Sequence, residues 1–270
     1  MTERQKQLAY SELQSKMLIE GERRTKAQKI VAVLEHFFGT ADLGGRSVLD
    51  LGCSTGFISD ELSRAGAKVT GVDIDEPGLE RARERFGDRI EFVNADGTKL
   101  PWADESVDAV ICNHVYEHVV DPDAVLAEVR RVLRPDGAVY LGMPNRLGLI
   151  EPHYKLPFLS WLPPAAADRY VAATGRADKY HERLRTRAGL RQLCRGLRVW
   201  DYTGTVLADP DRFHAEDMVP RQVRSAPPAV WRALNPIIPT YIWIGTKGTD
   251  APRGPVTRVA PKPVDGIPAA

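Results

Sequence analysis

The chain has 270 residues, 43% of them hydrophobic and 27% charged, which is ordinary globular composition with ample material for a core. Lys and Arg total 37 against 36 Asp and Glu, so a net charge of +1 excludes a global field for nucleic acid. The three cysteines are too widely spaced for a disulfide framework or a zinc motif, no apolar run approaches a membrane span, and the N-terminus is too polar for a signal peptide, so a soluble cytoplasmic protein is expected.

Residues 3–38 read as helix broken near Gly21, with Ala27, Ile30, Leu34 and Phe37 on one apolar face, and residues 1–45 are expected to form a helical cap. From residue 46 strands and helices alternate. Ser47–Leu51, Lys68–Asp73, Ile90–Asn94, Val107–Asn113 and Ala138–Met143 read as strands, with helices over Thr55–Ala65, Glu76–Phe86 and about 121–133. Asp121 followed by Pro122 caps the last of these helices, and Arg134–Gly137 reads as a turn. This rhythm predicts an α/β fold with a doubly wound parallel sheet in the order 3-2-1-4-5.

After Met143 the rhythm stops. Residues 144–180 form an irregular insertion whose Leu156, Phe158, Leu159, Trp161 and Leu162 need cover, from a lid over the cleft or from a hydrophobic substrate. A helix near 186–194 and a strand near 197–204 follow. A second insertion at about 207–239 leads to a last strand, Tyr241–Thr246, expected to join the sheet as an antiparallel pair with 197–204. The proline-rich tail, 249–270, is expected to be disordered.

The first strand runs into VLDLGCSTG, where Gly52, Cys53, Ser54, Thr55 and Gly56 make a turn trimmed for close approach to the backbone. In an open α/β sheet that turn lies at the ligand-binding end. Ser54 replaces the second glycine of G-x-G-x-x-G, which disfavours a dinucleotide and suits a phosphate-free nucleoside. Asp73, at the end of the second strand, can accept both ribose hydroxyls, Asp96 suits an exocyclic amine, and Asp50 can orient an ammonium. Carboxylates around a cleft repel phosphate and suit a cationic ligand with amino and sulfonium groups.

VLDLGCSTG, VTGVDID, NADGTKLPWADESVDAVICNHVYEHVVDP and RVLRPDGAVYLGMPN together resemble a class I S-adenosylmethionine-dependent methyltransferase of the small-molecule kind found in quinone biosynthesis. The match covers about 46–145. The resemblance implies a seven-stranded Rossmann-like sheet with an antiparallel last strand, over 46–248. It also implies S-adenosylmethionine as cofactor, with Asp50, Gly52, Cys53, Ser54 and Gly56 around methionine and ribose. Asp73 and Ile74 would hold ribose and one adenine face, Asp96 and Gly97 the adenine edge, and Asn113 and His114 the methionine moiety.

An activated sulfonium needs chiefly in-line positioning, and a base only where the acceptor must lose a proton. His118 and His153 are the candidate bases, with Tyr154 and Trp161 beside the acceptor; Glu117-His118 could instead simply cap the next segment. Cys53 and Cys112 read as packing residues, His36 as structural, and no metal is expected. The stretch 176–198 holds eight basic and two acidic residues, either a solvated face or a site for an acidic acceptor or peripheral membrane contact. The expected activity is methyl transfer to an oxygen of a small or amphiphilic molecule, with amine nitrogen as the alternative. A nicotinamide oxidoreductase and a non-catalytic cofactor-binding protein are the readings outside that class.

Overall fold

A computed structural model describes residues 8, 10–13, 19–248 and 250–269. The expected N-terminal helix falls partly outside these residues. Within them, α1 spans Tyr10–Leu13 and α2 spans Glu20–Phe38, starting one residue before Gly21, where the sequence places a break. Ala27, Ile30, Leu34 and Phe37 form the buried face of α2, and Gly39, at φ 68°, closes it with a left-handed cap.

The alternating segment folds as β1 (Ser47–Leu51), α3 (Phe57–Arg64), β2 (Lys68–Asp73), α4 (Glu76–Phe86), β3 (Glu91–Asn94), β4 (Val107–Asn113), α5 (Pro122–Val132) and β5 (Leu133–Pro144). Asp75 and Asp121 cap α4 and α5, each followed by a proline whose fixed φ and missing N–H suit a first turn. The turn expected at Arg134–Gly137 is a bulge inside β5: pairing with β4 jumps from Val107–Leu133 to Ala109–Ala138.

Strand order is β3-β2-β1-β4-β5-β7-β6-β8, with β1 to β5 parallel. Strand β7 (Thr240–Thr246) lies antiparallel between β5 and β6 (Arg198–Asp201), as its sequence pattern predicts. Strand β6 is shorter than expected. Asp201 accepts the Thr203 N–H at 2.9 Å and turns the chain into a short helix, α6, at Thr203–Ala208. The two faces of the sheet carry separate apolar clusters, one under α2, α3 and α4, the other under α5 and the helix α7 at Arg187–Leu193.

The proline-rich tail departs from expectation. It packs along the edge of the sheet, where Lys262–Pro263 (β8) pairs with β6 and makes the sheet eight-stranded rather than seven. Val259 and Val264 are buried, Trp200 Nε1 donates to the Asp250 carbonyl at 3.0 Å, and the Arg253 N–H donates to Phe37 at 3.0 Å. His36 bridges Tyr202 Oη at 3.0 Å and the Pro255 carbonyl at 2.9 Å, the structural role its sequence position implies. Proline cannot donate to a ladder but can cover an edge, so the composition that signals disorder here protects β6. Among the described residues no helix is long and apolar enough to cross a membrane.

Asp60, on α3, ties α2 and the segment before β3 together. Its fully buried carboxylate meets Arg24 at 2.8 Å, Arg64 at 3.2 Å and Arg89. Burial alone would raise its pKa, but the arginines outweigh burial and hold it below the usual range. Its stabilisation is therefore complete above the unfolded carboxylate pKa of about 4 and is lost as pH falls through the lower folded value. Asp60→Asn should cost about 3 kcal/mol at neutral pH, the low end for breaking a buried pair because the arginines remain partly hydrated. Denaturant unfolding at pH about 7 and about 2.5 checks this; an equal penalty at both would refute the ion-pair account.

Candidate active site

A cleft of about 2330 Å³ opens beyond the carboxyl ends of β1, β2 and β4. Its roof comes from α2 (Arg23, Lys26, Lys29), from Ile150–Lys155 and from Arg176–Glu182. The insertion after β5 thus lies over the cleft, together with α2.

At one end the glycine turn forms the wall. Gly52 has φ 77° and a Cβ there would fall 2.9 Å from Val115 Cγ2, so only glycine leaves this backbone bare. Ser54, also at positive φ, keeps a buried Oγ with no hydrogen-bond partner. Asp73 accepts backbone N–H groups from Ser54 (2.8 Å, Oδ2), Ile74 (2.8 Å, Oδ1) and Asp75 (3.0 Å, Oδ1). Burial nevertheless lifts its pKa to about 6. Ile74, Asp96, Gly97, Asn113 and His114 complete this end. Asp96 is braced by the Thr98 N–H and hydroxyl, both at 2.9 Å, and the Asn113 side chain lies over Gly142, where any Cβ would collide with it.

Three residues expected at the cofactor stand behind this wall instead. Asp50 is buried and accepts the Ser59 hydroxyl at 2.6 Å; Cys53 packs against Gly71; Gly56 is the N-cap of α3, against Phe92. They set the shape of the loop because the strand-to-helix turn directs alternate residues into the core. Burial pushes the Cys53 and Cys112 thiols upward, in keeping with packing roles.

Towards the roof, six residues gather. A turn, closed by His118 N–H to the Val115 carbonyl at 3.0 Å, brings His114, Glu117 and His118 together. Tyr116 pins that turn by donating to the Pro144 carbonyl at 2.5 Å. The insertion adds His153, and the segment beyond it adds Glu182. Glu117 Oε1 lies 3.3 Å from His114 Nδ1, 3.4 Å from His153 Nε2 and 3.9 Å from His118 Nε2. The opposite nitrogen of His153 is 2.8 Å from Glu151 Oε1, and that of His118 is 3.0 Å from Glu182 Oε2.

Burial dominates His114 and lowers its pKa to about 4. It would lower His153 as well, but Glu117 and Glu151 outweigh it and lift that group to about 10. His118 is likewise raised against burial by Glu182 and Glu117. Burial would raise Glu117, yet the facing imidazoles of His114 and His153 hold it well below the usual carboxylate range. His118 and His153 thus face the cleft as carboxylate-backed imidazoles, but His153, with its pKa lifted to about 10, is already protonated at neutral pH and does not suit the base role expected of it. Glu182 carried no signal in the sequence, because it reaches His118 only on folding, whereas Glu151 stands two residues from His153 and backs it locally.

Tyr154 lines the cleft but Trp161 does not. A 3-10 turn at Leu159–Trp161 swings that indole outward, where it covers Phe158 and donates to the Gly148 carbonyl at 3.1 Å. Among the described residues, three of the eight basic residues of the stretch 176–198 pair with acids: Arg185 and Arg195 meet Asp123 at 3.0 and 2.8 Å, and Arg187 meets Asp201 at 3.1 Å.

Residues 49–141 match the methyltransferase domain family. A demethylmenaquinone methyltransferase of Clavibacter sepedonicus is 42% identical over 103 residues, 37% of this chain and 42% of the relative. A ubiquinone biosynthesis O-methyltransferase of Aromatoleum aromaticum is 34% identical over 110 residues, 39% of this chain and 47% of the relative. The chain spans about half the length of the curated relatives it matches. An S-adenosylmethionine-dependent methyltransferase structure from Thermotoga maritima shares the fold at 18% identity, with TM-score 0.52 and coverage of 86% of this chain and 93% of that one.

The cleft fits the methyl donor of this family. The bare backbone at Gly52, the unpartnered Ser54 hydroxyl and the remaining acceptor capacity of Asp73 leave one wall open to a nucleoside, and Asp96 lies within the same cavity. From its strand order, its matched domain and these relatives, the core of this chain, residues 49–141, is a methyltransferase domain that resembles those of class I S-adenosylmethionine-dependent methyltransferases, including enzymes of quinone biosynthesis.

Proposed function

We propose that this protein transfers the methyl group of S-adenosylmethionine to an oxygen of a small or amphiphilic acceptor. The observation that carries this reading is the continuity of one cavity from Asp73 and Asp96 past Asn113 and His114 to His118, His153 and Tyr154. Beyond them its lining turns apolar at Leu207, Met218, Trp231, Ile238 and Ile242, which suits a hydrophobic acceptor body. Bound at this wall, S-adenosylmethionine would supply an activated methyl group for the acceptor oxygen, and the imidazole–carboxylate cluster would take up the acceptor's proton. The lid excludes water that would otherwise solvate the nucleophile. Asp73 holds ribose, Ile74 one adenine face, Asp96 and Gly97 its edge, and Asn113 and His114 the methionine moiety.

Relatives named for O-methylation and for C-methylation in quinone biosynthesis support an electron-rich aromatic acceptor. Fold likeness alone cannot select the reaction: the [4+2]-cyclase SpnF has the same fold at 19% identity, TM-score 0.50, over 82% of this chain and 81% of that one. The test offers a short-chain prenylated catechol and the matched aryl amine with labelled S-adenosylmethionine. Label in a methoxy group is the expected product. Transfer to the amine alone moves the acceptor to nitrogen, and cofactor binding without transfer to either substrate overturns the proposal.

A further inference from the structure

The histidine–glutamate cluster has a geometry that proton sharing does not explain. Glu117 is buried, and neither of its oxygens makes a hydrogen bond. Two imidazole nitrogens approach the same oxygen, at 3.3 and 3.4 Å, well beyond the ~2.7–2.9 Å of a charge-assisted bond. Four ligands placed tetrahedrally at metal bonds of about 2.0–2.1 Å stand about 3.3 Å from one another, which is this spacing.

The backing carboxylates match that reading. His153 presents Nδ1 to Glu151 and turns Nε2 toward Glu117, and His118 does the same with Glu182. A carboxylate behind the far nitrogen is how proteins fix the tautomer and direction of a metal-binding imidazole. Glu151 is itself immobilised, since its Oε2 accepts the His153 and Tyr154 N–H groups at 2.8 and 2.6 Å. The side chains of Glu117 and Glu151 are fully buried and that of Glu182 is 5% exposed, and each of the three faces an imidazole. The potential ligand atoms of His114, Glu117 and His153 lie within 4.8 Å of one another, as do those of His118, His153 and Glu182.

We propose that His114, Glu117 and His153 bind one divalent transition-metal ion of the zinc type at the acceptor end of the cleft, with Glu151 orienting His153 and with His118, backed by Glu182, left outside the ligand set. A set rich in imidazole nitrogen favours zinc, cobalt or nickel over magnesium. At that position the ion faces the region assigned to the acceptor, where it would stabilise negative charge on an acceptor oxygen. The site itself stands on ligand geometry and does not depend on the transfer reading.

The test titrates the tag-free full chain, stripped with chelator, with Zn2+ by calorimetry and with Co2+ by its visible spectrum. One ion per chain is expected, with the intense bands of four-coordinate Co2+ and no competition from Mg2+. Glu151→Gln, behind His153, should weaken Zn2+ about 10–100-fold, and Glu117→Gln should weaken it further. S-adenosylmethionine affinity, measured alongside, reports whether each variant is folded; if Glu117→Gln is not, Glu151→Gln and His153→Gln decide. Absence of stoichiometric binding, or an affinity unmoved by these changes, overturns the site. Stoichiometric metal with no methyl transfer leaves the site standing and removes the transfer reading instead.

Discussion

Asp73→Ala is expected to weaken S-adenosylmethionine binding at least tenfold. The carboxylate has about four lone-pair positions, and three already accept N–H groups from Ser54, Ile74 and Asp75. The remaining capacity, on the oxygen facing Ser54, serves one ribose hydroxyl fully rather than the two that the sequence alone allows. One hydrogen bond to a charged group is worth roughly 1.5–3 kcal/mol, which is about a tenfold to hundredfold change in affinity. Asp73→Asn separates loss of that bond from collapse of the loop, because its amide keeps an acceptor for part of the backbone set.

The same carboxylate predicts a pH dependence. With its pKa at about 6 in the free protein, Asp73 is an acceptor above that value and becomes a donor below it. Affinity for the cationic cofactor should therefore hold above pH 6 and weaken below it. Calorimetry with the native protein and Asp73→Asn checks both points; equal affinities with no pH dependence would remove Asp73 from the site.

His118→Ala should lower turnover about 10²–10⁴-fold, the usual span for losing a group that handles a proton in the transition state, with cofactor affinity nearly intact. The imidazole lines the cleft on the acceptor side, away from Asp73 and Asp96 in sequence and strand, and is backed by Glu182 at 3.0 Å. Its loss leaves the Glu182 carboxylate without that partner, so Glu182→Gln provides the matching variant: a smaller fall in turnover through misdirection of the ring. Steady-state kinetics with the catechol acceptor distinguish the outcomes. Full turnover in His118→Ala would make the residue structural and favour an acceptor that needs no proton removed.

The parallel core was open to reading from the chain because strands and helices are local in origin. Val107–Asn113 is apolar throughout, Asp121-Pro122 caps a helix, and the switch-point rule then places the glycine turn and Asp73 together. The order of the first five strands and the antiparallel placement of β7 follow from that periodicity and the short crossovers. The same reasoning identified Gly52, Ser54, Asp73, Ile74, Asp96, Gly97, Asn113 and His114, all of which line the cleft. It could not tell them from Asp50, Cys53 and Gly56, since which side of a tight turn faces solvent depends on packing against Phe92, Gly71 and Ser59.

Tertiary structure alone decided three further matters. Composition marks the tail as unable to form a core of its own, but not that an uncovered β6 edge and His36 await it. Apolar content shows that the insertion needs cover, but not that Trp161 turns outward while His153 and Tyr154 turn in. Most of all, HVYEH carries three of the clustered groups within five residues, whereas His153, Glu151 and Glu182 join them only when the insertion folds over the cleft. Helix caps and strand periods are read within a few residues because their energies are local. A cluster closed by residues far apart in sequence exists only where the packed fold brings them together, and no local pattern encodes that meeting.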